Sequence, residues 1–177
     1  MATAYTRDEL EKQRNTLFAL APKIPTENDL GRAPRINAIT MAGSDAGILL
    51  RLSLRRKPKE VTFFLNCLVC QYLYAAINDA AVEGGWSKSG AHYQRDEVLS
   101  VPTTNDVNSA LNVSSITTTA APSGILVNFG GIGESLLTYM PEVIALELRE
   151  GIKLAANQTG WWGKDFVLLA SDGTQFK

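Results

Sequence analysis

Two thiols stand three apart in "FFLNCLVCQ", residues 63–71, where a strand-like run feeds a helix-like one. A Cys-x-x-Cys at a helix start can carry disulfide exchange, because the free N–H groups of the first turn favour a thiolate. Cys67 and Cys70 lack the neighbouring Trp or Gly-Pro that shapes such a redox loop. Two thiols alone do not close a zinc site either. They read as buried packing cysteines. His92, the single histidine, lies in "SGAHYQRDE" with no nucleophile elbow beside it. "NFGGIGES" (128–135) is glycine-rich but lacks the Lys-Ser/Thr ending of a phosphate-binding loop. Glu142, Glu147 and Glu150 fall on a helix as a solvated face. No catalytic residue, metal ligand or cofactor is assigned, and the expectation is a protein that is not an enzyme.

One cluster keeps its interest. "RLSLRRKPK", 51–59, carries five cations. Arg51 and Arg55 share the polar face of an alternating strand, and Arg56, Lys57 and Lys59 crowd the turn that follows. Such a patch can bind phosphates, or it can guard an edge strand against wrong pairing. Both readings stay open from the sequence.

The rest of the composition sets bounds. The chain has 177 residues, 45% of them hydrophobic and 20% charged, which suits one domain with a sizeable core. A formal charge of −1 gives no global pull toward nucleic acid or membrane. "MATAYTRDELEKQRN" lacks the apolar core of a signal peptide. The longest apolar run, "VTFFLNCLVCQYLYAAI", is interrupted by Asn66 and Gln71. The expected location is cytoplasmic, or host cell and virion for a viral protein.

The elements that must position these residues come from an internal echo. "IPTENDLGRAPRINAITMAGSDAGILLRL" (24–52) lies on "VPTTNDVNSALNVSSITTTAAPSGILVNF" (101–129) without a gap, with ten of 29 positions identical. After a shift of two, "FLNCLVCQYLYAAINDAAVEGGW" (64–86) lies on "YMPEVIALELREGIKLAANQTGW" (139–161). "RDEVLS" (95–100) then pairs with "KDFVLL" (164–169). The expectation is an internal duplication. Residues 1–22 form an N-terminal helical arm, and 23–177 form a single domain of two repeats, 24–100 and 101–170.

Each copy reads as strand, turn, strand, strand, helix, strand. "RINAITMA" is a strand, and the shared Gly47 and Gly124 supply positive φ at the turn after it. "ILLRLSLRR" puts Ile48, Leu50, Leu52 and Leu54 on one face and Leu49, Arg51, Ser53 and Arg55 on the other. "VTFFL" is a third strand. Helices follow over 66–83 and 141–157, with Pro141 at the start of the second. Gly85 and Gly160 fit the left-handed position beyond each helix, with Trp86 and Trp161 folding back onto the last turn. "PTxND" is a turn entering each copy, its Asn/Asp side chains bonded to nearby backbone. The fold class is α+β: internally duplicated β-β-β-α-β units in one pseudo-twofold domain, with an antiparallel sheet and helices packed on one face.

Read from the closing strand of one copy into the next, the order is four strands and a helix, twice over. That element order resembles Whirly and PUR-type single-strand nucleic-acid binding proteins. The resemblance spans nearly the whole chain and rests on element order alone. It implies helices on one face of a curved sheet and single-stranded DNA or RNA on the other. Alternation turns Leu65 and Met140 toward the helices, so Phe64 and Tyr139 point outward as a matched aromatic pair. With Arg51, Arg55, Arg56, Lys57, Lys59 and Asn128 they would offer stacking surface beside phosphate-binding cations. A structural protein, for instance a phage or other viral component, is the competing expectation. The charge-poor stretch 103–131 suits contacts within a homo-oligomer.

Overall fold

The computed structural model describes residues 25–55, 59–86, 101–113, 115–131 and 134–159. The N-terminal arm, both closing strands, Arg56, Lys57, His92 and Trp161 lie outside the described residues.

A 3-10 turn at Glu27–Asp29 leads into β1 (Ile36–Ser44), β2 (Gly47–Leu54), β3 (Glu60–Asn66) and helix α1 (Cys67–Gly84). A short helix α2 (Thr104–Ser109) then precedes β4 (Leu111–Val113), β5 (Ser115–Ala121), β6 (Gly124–Gly131), β7 (Glu134–Pro141) and α3 (Glu142–Thr159). The class is α+β. The order of three long strands and a helix occurs twice, each time ending in an 18-residue helix.

Local chemistry accounts for most of the boundaries. Ile48, Leu50, Leu52 and Leu54 are buried while Arg51 is exposed, the alternation expected of a half-covered strand. Asn66 caps α1, its Oδ1 accepting the Val69 N–H at 2.9 Å. Gly85 ends that helix in the left-handed region (φ 56°), and the Trp86 N–H donates back to the Ala81 carbonyl at 3.1 Å. Both "PTxND" turns close on their aspartates. Asp29 Oδ2 accepts the Thr26 N–H at 2.8 Å. Asp106 Oδ2 accepts the Thr103 N–H, while Thr103 Oγ1 accepts the Asp106 N–H at 3.1 Å, a complete capping box.

Three expectations need correction. First, among the described residues the strands form two sheets and not one: β1-β2-β3-β4 and β5-β6-β7. Every ladder between these strands is antiparallel except that of β4, which runs parallel to β3 with Asn112 opposite Phe64. On the other side Arg35, just before β1, pairs in parallel with Tyr139 of β7. The segment before each first long strand therefore joins the opposite sheet, so the sheets meet at two corners. Second, Gly124 has no positive φ; Ser123 carries it (56°). What Gly124 supplies is close approach, since a Cβ there would run into the Met140 carbonyl, as one at Gly47 would into that of Leu65. Third, Pro141 closes β7 and α3 begins at Glu142, whose N–H donates to the Ser123 carbonyl at 2.9 Å.

The helices cross over between the runs. α1 packs chiefly on β5, α3 chiefly on β1, and the two helices pack on each other. They join the inner faces of both sheets in one core, with Leu50, Leu65, Leu73, Ile77, Ile125, Met140 and Ile152 fully buried. Leu65 and Met140 point inward as expected. Among the described residues no helix is long and apolar enough to cross a membrane.

Candidate nucleic-acid interface

The outer faces of the two sheets differ in what covers them. Over the three-stranded sheet lie residues 25–35. The Thr119 hydroxyl donates to the Pro25 carbonyl at 2.5 Å, and the Tyr139 N–H to that of Pro34 at 2.9 Å. Leu30 and Ala33 pack there against Ala121, Leu126, Leu137 and Tyr139 in a second small core. β6 is consequently buried on both faces from Gly124 to Gly130.

The outer face of the four-stranded sheet is more open. Its strand ladders set Thr40, Arg51 and Thr62 in one row, and Ala42, Leu49 and Phe64 in the next. Arg51 is exposed and Phe64 half-buried. They are diagonal neighbours across the β2–β3 ladder, with backbones about 7–8 Å apart. A basic end adjoins this face. The Arg55 N–H donates to the Arg35 carbonyl at 3.0 Å and the Leu54 N–H to that of Lys59 at 2.7 Å, with Arg35, Arg55 and Lys59 all exposed. Two carboxylates temper the charge. Glu60 follows Lys59 and pairs with Ser53. Asp106 of α2 is held below the usual carboxylate range, first by hydrogen bonds from Thr103 and last by the charge of Arg51.

The residues singled out from sequence thus divide. Arg51, Arg55, Lys59 and Phe64 come together on the four-stranded sheet and its end. Asn128 and Tyr139 belong to the other sheet, on its covered face. The Tyr139 hydroxyl donates to the Pro122 carbonyl at 2.9 Å, and burial raises its ionisation above the ordinary value. Phe64 and Tyr139 match in position along their strands but share no surface. Arg35 was missed. Its basic character was legible, but only the pairing with Arg55 brings it to this end of the sheet.

The other candidate chemistries end in packing. Cys67 Sγ donates to the Asp45 carbonyl at 3.4 Å and Cys70 Sγ to that of Leu65 at 3.5 Å. Burial pushes the Cys67 thiol up to about 12 and holds Cys70 well above the ordinary range, the reverse of what a nucleophilic thiol needs. Glu150 is no free solvated carboxylate, because Arg149 pairs with it at 3.1 Å while reaching Asn78 of α1. Among the described residues no group of three or more His, Cys, Asp or Glu side chains could hold a metal ion. No family model matches the chain, and no curated protein or solved structure matches it.

Proposed function

We propose that the outer face of the four-stranded sheet binds single-stranded nucleic acid without catalysing a reaction. The observation that carries this reading is the diagonal pairing of exposed Arg51 with half-buried Phe64 beside Arg35, Arg55 and Lys59. An aromatic ring supplies a stacking platform indifferent to base identity, and guanidinium groups supply phosphate contacts. It is also the arrangement that the resemblance to Whirly and PUR-type proteins implies, here on one sheet only.

Anisotropy of a labelled oligonucleotide across a salt series tests it. Each phosphate neutralised on a single strand contributes about −0.7 to the slope of log affinity against log salt, so three or four contacts give roughly −2 to −3. Arg51→Ser with Arg55→Ser should flatten the slope. Phe64→Ala should cost about 1–3 kcal/mol of binding with the slope unchanged, because stacking releases no counterions. A thermal melt of that variant separates lost binding from lost fold.

A second reading, a self-assembling structural protein, has its own support. Val82 and Val101 are 83% and 78% exposed, apolar side chains that a neighbouring subunit would cover. Light scattering on the free protein measures the oligomer directly. No oligonucleotide binding at micromolar protein in the lowest salt overturns the first reading and leaves the second.

A further inference from the structure

A cavity of about 390 Å³ opens where the two sheets meet at the β3–β4 corner. The buried side chains Phe63, Val113 and Phe129 form its inner end, and the exposed Leu111 and Ser135 belong to its rim. Half-buried Val61 and Leu136 complete the apolar wall. None of the described residues lining it is charged.

The opening has a cause in the sequence. β2 and β6 are both eight-residue strands that start on glycine. β2 ends in Ser53–Leu54, with Leu54 buried in the core. β6 ends at the same two places in Gly130–Gly131, both of which line the cavity. Asn112 sits on the outward side, opposite Phe64, so its backbone is what borders the space. A Cβ on Gly131 would come within 3.0 Å of the Asn112 carbonyl oxygen. Side chains are thus missing where the other run of strands places a leucine. Protein interiors otherwise pack with few voids larger than a water.

We infer that this cavity is a binding site for a small, neutral, largely apolar molecule, about the size of a bicyclic aromatic carrying one further ring. Its volume exceeds the roughly 150 Å³ that suffices for benzene in an apolar protein cavity and falls in the range of ligand pockets. The described wall is apolar and offers an ion no counter-group to compensate its desolvation. The Ser135 hydroxyl at the rim can hydrogen-bond a single polar substituent left facing solvent.

The test titrates the full chain with N-phenyl-1-naphthylamine, a neutral probe that fluoresces in apolar surroundings. One saturable site per chain is expected, together with a rise in melting temperature at saturating probe. Val61→Phe and Leu111→Trp each project added volume into the cavity from its wall and rim. Either should weaken the probe tenfold or more while far-ultraviolet circular dichroism is unchanged. Should Leu111→Trp fail to fold, Val61→Phe decides alone. Arg51→Ser, on the opposite side of the β2–β3 ladder, should leave the probe affinity as it is, which separates this site from the nucleic-acid interface. Absence of saturable binding, or affinity undiminished in a folded filling variant, overturns the inference.

Discussion

The rings of Phe63 and Phe129 stack with centroids 4.9 Å apart and planes inclined by 28°. They are the point at which the inner face of one sheet grips that of the other. Offset aromatic pairs contribute about 0.5–1.5 kcal/mol beyond the area they bury. In urea unfolding, Phe129→Ala should therefore cost about 3–5 kcal/mol. The double-mutant cycle of Phe63→Leu and Phe129→Leu should return a coupling of about 0.5–1.5 kcal/mol. Simple additivity would mean that the rings are neighbours without specific interaction.

Gly47 and Gly31 should respond oppositely to alanine. Gly47 has φ 151° and its missing Cβ would strike the Leu65 carbonyl, so Gly47→Ala should destabilise by more than about 1 kcal/mol. Gly31 has nothing within 4 Å of a built Cβ. Gly31→Ala should be neutral, or stabilising by up to about 1 kcal/mol through the unfolded chain. Two thermal melts check the pair.

The buried thiols make stability fall in alkali. A folded-state value of about 12 for Cys67 lies above the unfolded value, so the native state holds the proton more tightly. That contribution is complete below the unfolded thiol value of about 8.5 and is lost as pH rises toward the folded one. The doubly substituted Cys67→Ala, Cys70→Val protein should lose about 1 kcal/mol per site at neutral pH through packing. It should also show a shallower decline in melting temperature between about pH 9 and 11 than the parent. A disulfide-exchange dye should label the native thiols only as fast as the protein opens.

In acid the aspartates of the two "PTxND" turns dominate the expectation. Asp29 is held below the usual range, first by the Thr26 N–H and also by Arg32, which pairs with it at 2.5 Å. Asp106 is held down by Thr103. A lowered folded value gives stability that is present above the unfolded carboxylate value of about 3.9 and is lost as pH falls through the folded one. Asp29→Asn should flatten the melting-temperature profile below about pH 4 while lowering its neutral plateau. An unchanged acid limb would assign the acid sensitivity to other carboxylates.

Much of the local structure was legible because its causes are local. The alternation of β2, the asparagine cap at Asn66, the left-handed stop at Gly85 and the aspartate-closed turns each depend on a few adjacent residues. The division into two sheets was not legible. It depends on Asn112 finding Phe64, and Arg35 finding Tyr139, across long stretches of chain with no side-chain pattern to announce it. The same gap explains Asn128 and Tyr139. Their alternation correctly turns them away from the helices, but residues 25–35, distant in sequence, then cover them. For the candidate interface, charge at 51–59 was readable and its neighbour Arg35 was not.

The reciprocal placement of the helices constrains the order in which the molecule can be made. A ribosome releases β1, β2, β3 and α1 first, yet the surface of β1 that α3 covers stays bare until residues 142–159 have emerged. α1 likewise waits for β5. Neither run of strands can close a core by itself, so cooperative folding is deferred until α3 has emerged. Until then each half presents the other's binding surface, and two nascent chains held close together on one message could satisfy each other by mutual exchange.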